Sequence, residues 1–156
     1  MGSLPARFVA AGLGVAALAG CAASGAQKAE AAGTAVRTAL TQWTAAFNAR
    51  DDSRICDLFA ADLVYDFRGA PTRGHAAMCA ALHRALADPD ERLNYAFEIQ
   101  SMVVGTDTVA VRLIWTSTVR RKGAGPVTTR EQGLDVFRRE ADGRWRIAMF
   151  IAYEMP

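Results

Sequence analysis

The chain has 156 residues, of which 51% are hydrophobic, and a formal net charge of +2. That near-neutral balance provides no electrostatic footprint for nucleic acid or for an anionic lipid surface. Two histidines and three cysteines, with no H-x-x-x-H or C-x-x-C spacing, argue against a metal or other cofactor, and neither a G-x-S-x-G elbow nor a phosphate-binding loop occurs.

In chain order, the first 21 residues have three parts. "MGSLPAR" carries one basic residue, Arg7; "FVAAGLGVAALAG" is uncharged; and the segment closes on small residues before Cys21. This is the layout of a secretory signal. The apolar run, Phe8 to Gly20, is shorter than the roughly 20 residues a membrane-spanning helix needs. "LAGC" resembles the bacterial lipobox, which implies that the Cys21 thiol receives a diacylglyceryl group and becomes the new N-terminus. Ala22 rather than Asp follows it, which by the same resemblance implies retention on the periplasmic face of the outer membrane. An ordinary signal peptide cleaved nearby is the alternative. "GLGVAA" fits a dinucleotide fingerprint, but it has neither the preceding strand nor the following βαβ unit that the motif requires. Residues 22–33 read as a small-residue tether and 34–156 as one domain. Removing residues 1–21 leaves 135 residues with a net charge of +1, and two cysteines, Cys56 and Cys79. An even number in an exported protein permits a disulfide, and two free thiols are equally compatible with the composition.

Val36, Leu40, Trp43 and Phe47 form one stripe at helical spacing, predicting an amphipathic helix within 28–50 whose regular part begins near Gly33. Asp51 or Asp52 can cap a second, short helix over "SRICDLFA". "LVYDF" (63–67) reads as a strand followed by the turn cluster "RGAPTRG". A third helix is predicted over His75 to Ala87, with Met78, Leu82 and Leu86 facing inward. Leu93, Tyr95, Phe97 and Ile99 then alternate with polar or small residues. Val109, Val111, Leu113, Trp115 and Ser117 share a face of the next strand. "VTTREQGLDVFRR" is a more polar strand with Gly133 as a candidate bulge, and "EADG" turns the chain into a last strand. Three helices ahead of four long antiparallel strands define an α+β domain. A strongly curved sheet of this kind, wrapped around a helix, leaves a cone open at one end, a natural small-molecule pocket.

"WTAAFNARD" (43–51), "LFAADLVYDF" with "RGAPTRG" (58–74) and "GLDVFRREADGRWRI" (133–147), in this order, resemble the nuclear-transport-factor-2-like superfamily. That superfamily includes ketosteroid isomerase, SnoaL-like polyketide cyclases and scytalone dehydratase. The resemblance covers most of residues 34–154 and implies a cone-shaped α+β barrel. It also implies where isomerase chemistry would sit: a tyrosine at Trp43, a general-base aspartate at Phe67 and a second, protonated aspartate at Asp135. Only Asp135 matches, which argues against ketosteroid isomerase activity.

Asp135 is therefore the leading candidate, either as a pocket carboxyl that donates a hydrogen bond to a ligand or as a strand carboxylate paired with an arginine. Asp66 neighbours the missing base, but strand alternation points it to the opposite face unless a bulge intervenes. It can instead pair with Arg68 or Arg73, or face water. Trp43, Phe67, Leu113 and Trp115 line the cone if the resemblance holds, and are plain core otherwise. The fold implied by the resemblance brings Cys56 and Cys79 onto neighbouring segments over one sheet face, which favours a disulfide; Cα atoms more than about 7 Å apart would exclude it. The expected function is a lipid-anchored binding or accessory module, with a small apolar ligand and a second copy or an envelope protein as partners. The alternative is an isomerase, dehydratase or cyclase acting through Asp135 with a partner such as Asp66.

Overall fold

The computed structural model describes the backbone of residues 16–156 and the side chains from residue 25 onward. Residues 1–15 of the expected secretory signal, and the side chain of Cys21 on which lipidation is expected, lie outside the described residues. The elements run α1 (Ala16–Asn48), β1 (Phe59–Phe67), β2 (Arg73–Gly74), α2 (His75–Ala87), β3 (Glu91–Val104), β4 (Thr108–Arg121), β5 (Val127–Arg139) and β6 (Trp145–Glu154). One curved, unclosed sheet has the order β2-β1-β6-β5-β4-β3. All neighbours are antiparallel except β1 and β6, which pair in parallel. Among the described residues this is an α+β fold with two helices, not three.

The stripe on α1 is the reason that helix sits where it does. Val36, Leu40 and Phe47 are wholly buried, and Trp43 is 9% exposed. The helix does not begin at Gly33. It runs through 22–33, the expected tether, and Ala32 is already buried against the sheet. It stops at a Schellman-type turn in which Arg50 adopts φ 59°. There the amide of Arg50 bonds the carbonyl of Phe47, and that of Asp51 the carbonyl of Ala46.

The segment read as a second helix is a run of turns. Its bonds are of the i→i+3 kind, from Ile55 to Asp52, Asp57 to Arg54 and Phe59 to Cys56. Eight residues cannot sustain an isolated helix against competition, and here the sheet competes: the Ile147 amide bonds the Leu58 carbonyl, at 2.8 Å. As a result β1 starts at Phe59, four residues earlier than the sequence suggests. Gly74, read as part of a turn, belongs to β2, and a Cβ there would lie 3.1 Å from the Leu63 carbonyl oxygen. Bulges fall at Gln100 in β3, between Ile99 and Ser101, and at Ala148 in β6, opposite Val136 and Phe137. Gly133 itself pairs regularly with Leu113.

The concave face of the sheet packs on α1 and α2. Its convex face carries Val64, Leu134, Met149, Ile151 and Tyr153, each 41–53% exposed. One row crosses four adjacent strands on this face, from Asp66 through Ile151 and Leu134 to Arg112.

Candidate functional site

Inside the cone lies a cavity of about 80 Å³. Its walls are Trp43 from α1, Phe67 from β1, Met78 and Leu82 from α2, Tyr95, Trp115 and Phe150 from the sheet, and two carboxyls of β5, Glu131 and Asp135. The rings brace one another: Trp115 lies 5.7 Å from Trp43, 5.9 Å from Tyr95 and 5.6 Å from Phe97, centroid to centroid. Such tilted and edge-on pairs are favourable aromatic geometry.

Asp135 is 3% exposed and is the one buried charged or polar residue among those described. Strand alternation puts Glu131, Gly133, Asp135 and Phe137 on the inner face of β5. Gly133 makes the room: a Cβ there would sit 3.4 Å from Leu113 and 3.5 Å from an oxygen of Asp135. Burial pushes the Asp135 carboxyl up to about 7, and a hydrogen bond from the Trp115 side chain works in the opposite direction. None of the ion pairs of the described residues involves Asp135. Raised this far, the carboxyl can be held in its protonated form, in which it donates a hydrogen bond. Glu131 is raised as well, by burial and by the charge of Glu154, its cross-strand neighbour. Burial, with Glu131 adding to it, pushes the Tyr95 phenol up to about 12.

The other expected site residues take different places. The Trp43 indole N–H is engaged, donating to the Ile55 carbonyl at 2.8 Å. Phe67 and Trp115 line the cavity, whereas Leu113 is fully buried core behind it. Asp66 alternates with the inward-facing Tyr65 and Phe67 and accepts a 2.5 Å hydrogen bond from the Thr72 hydroxyl, so it is outside the cone. Glu131 was missed, although its i+4 spacing from Asp135 on one strand was readable. Cys56 and Cys79 are joined as a disulfide, with Cα atoms 5.5 Å apart. The bond ties the turn segment that carries Leu58 to the helix that carries Met78 and Leu82, so it links two walls of the cavity. A larger, open groove of about 430 Å³ lies between α1, the 51–58 turns and the β5–β6 hairpin. Its charges are satisfied internally, with Arg54 and Arg144 each 2.8 Å from Asp57.

No cluster of metal-binding side chains occurs among the described residues, and no helix among them is long and apolar enough to cross a membrane.

A six-stranded curved sheet closed over by helices, with a carboxyl at the bottom of an aromatic cone, defines the nuclear-transport-factor-2-like fold class. Within it, residues 40–147 match the SnoaL-like domain, and the chain belongs to that family. No curated protein matches it. Among solved structures, a conserved protein from Planctomyces limnophilus superposes with a TM-score of 0.70 at 20% identity, covering 81% of this chain and 98% of that one. A nuclear-transport-factor-2-like protein with a cystatin-like fold from Novosphingobium aromaticivorans gives 0.69 at 19% identity, covering 91% and 92%. A protein from Catenulispora acidiphila, in complex with S-DNPA, gives 0.66 at 18% identity, covering 80% and 94%. At these identities the likeness establishes the fold.

Proposed function

We propose that this protein is a small-ligand-binding module of the cell envelope, exported by its N-terminal signal and held by a lipid on Cys21 at the periplasmic face of the outer membrane. The observation that carries the ligand reading is Asp135, a buried carboxyl set among aromatic rings, whose burial favours its neutral form. In its neutral form it donates to a carbonyl or ether oxygen, while the rings accept the apolar remainder. The volume of about 80 Å³ matches a few water molecules' share of space and falls far below the roughly 300 Å³ at which drug-sized sites begin. The ligand is therefore small, or the walls part to admit it. The Catenulispora protein, similar in fold, is in complex with S-DNPA, which supports the reading of this chain as a ligand binder.

Native mass spectrometry of the purified chain tests this. A co-purifying mass that disappears in Asp135→Leu is the expected result; a clean protein mass in both proteins would reject the ligand reading. Labelling with a fatty acid, lost in Cys21→Ala, tests the anchor.

The convex face is proposed to meet a second copy. A twofold axis running along the strands, between two such faces, would set Asp66 of one copy against Arg112 of the other, with Ile151 and Leu134 between. That row is self-complementary, as a twofold interface requires.

A second reading is an isomerase-, dehydratase- or cyclase-type enzyme working through Asp135. Two carboxyls on one inner strand face, both raised by burial, favour it, because a carboxyl held protonated by an apolar site can act as a hydrogen-bond donor or general acid. Its proton-transfer partner is then Glu131, not Asp66. Turnover of a bound ligand by the parent, with binding but no turnover in Asp135→Asn, would select this reading over simple capture.

A further inference from the structure

The two histidines, which the pocket does not use, both stand against the disulfide. His75, Cys79 and His83 follow one another at four-residue spacing along α2 and so share one face. His75 Nε2 is 3.5 Å from Cys79 Sγ, and His83 Nε2 is 3.8 Å from Cys56 Sγ. Behind His83, the Asp52 carboxylate lies 4.0 Å from Nδ1. Each sulfur thus has its own imidazole, and one imidazole has a carboxylate oriented towards it. Both cysteines are half-buried rather than sealed, and the His83 side chain is 51% exposed. A bond that merely stapled the fold would need no imidazole beside either sulfur.

We propose that Cys56 and Cys79, with His75 and His83, form a thiol–disulfide exchange centre whose co-substrate is a dithiol, such as the paired cysteines of an oxidoreductase. One thiolate of the dithiol, attracted by the imidazolium of the exposed His83, attacks the adjacent Cys56 Sγ from that side. A mixed disulfide forms, the Cys56–Cys79 bond breaks, and Cys79 leaves as a thiolate that takes a proton from the His75 imidazolium. The second thiolate of the dithiol then attacks its own sulfur in the mixed disulfide. Cys56 leaves and takes a proton from His83. Two electrons pass from the dithiol, which ends as a disulfide, to the protein, which ends as two thiols. Imidazolium beside the departing sulfur lowers the pKa of the leaving thiol and speeds its departure. Asp52 is a positioning residue: its carboxylate, 4.0 Å from Nδ1, orients the His83 ring towards Cys56. The proposal does not depend on what the cone binds.

The test uses the full chain, purified in its oxidised form and reduced with dithiothreitol at neutral pH, with thiols trapped and counted by mass spectrometry. Reduction is expected to rise in proportion to dithiothreitol while circular dichroism reports an intact fold. His75→Gln and His83→Gln should each slow it by about fivefold, and all three proteins should react alike in urea. Asp52→Asn, on an exposed turn, provides an independent variant should a histidine change prevent folding, and it should slow reduction too. A native rate independent of dithiothreitol, and so set by unfolding, would overturn the proposal. So would rates unchanged in all the variants that fold.

Discussion

Asp135 makes a prediction at the scale of one residue. Its folded carboxyl titrates at about 7, against 3.8 for the ordinary group. Between those values the folded protein keeps a proton that the unfolded chain has released. Stability from this site is therefore fully present below about pH 4, is lost as pH rises through the window, and is flat above about pH 7. The span corresponds to roughly 4 kcal/mol as an upper figure. Glu131, raised in the same direction, adds to the slope. Asp57, Asp62 and Asp142 are lowered by their arginine partners and act only at more acid pH; being largely exposed, these pairs contribute little. Urea denaturation at about pH 5 and about pH 8 should find the parent protein less stable at the higher pH, and Asp135→Asn should remove most of the difference. An equal slope in the variant would mean that burial of Asp135 is not the cause. Asp135 was legible in the sequence because the family pattern places a carboxyl at its position. The Trp43 N–H was not, since its acceptor, the Ile55 carbonyl, is a backbone atom twelve residues on.

At the scale of elements, the end of α1 does more than stop a helix. The Asn48 side chain takes both backbone groups of Tyr95, donating to its carbonyl and accepting from its amide, each at 2.8 Å. It thereby supplies one strand-like pairing to β3, the edge of the sheet. Two residues later Arg50 donates to the carbonyls of Leu86, Asp88 and Glu91, capping the end of α2 and fixing the start of β3. Arg50→Ala should cost about 2 kcal/mol, because charged donors to backbone carbonyls are among the stronger hydrogen bonds; Arg50→Gly should lose less, since glycine relieves the positive φ. Chemical denaturation of both variants checks the order, and an Arg50→Ala loss below that of Arg50→Gly would contradict it. None of this fastening was legible, because its acceptors are main-chain atoms brought near by folding. The helix over His75–Ala87 and the long strands were legible from periodicity. The segment 53–60 was misread for a definite reason: apolar spacing suits a helix there, but a sheet hydrogen bond at Leu58 captures the chain first.

For the whole molecule, the family and the α+β cone were readable because order and turn chemistry survive where single site residues do not. What the sequence could not disclose was the size of the cavity, which depends on how Trp43, Tyr95 and Trp115 interlock, or the apolar content of the convex face, which depends on strand register. If the proposed second copy covers that face, analytical ultracentrifugation should find dimers of the parent chain and monomers of Ile151→Asp. Arg112→Asp alone should weaken association, and Arg112→Asp combined with Asp66→Arg should restore it. A monomeric parent protein would remove the twofold arrangement from consideration.

The length of α1 has a mechanical consequence. Between Gly25 and Ala31 the helix is almost entirely exposed, and it first seats on the sheet at Ala32. A leash of small residues would let the domain tumble freely, whereas a helix at about 1.5 Å per residue is a strut roughly 10 Å long. Whatever holds its far end would hold the domain at a set distance and a set attitude, choosing which way the mouth of the cone faces.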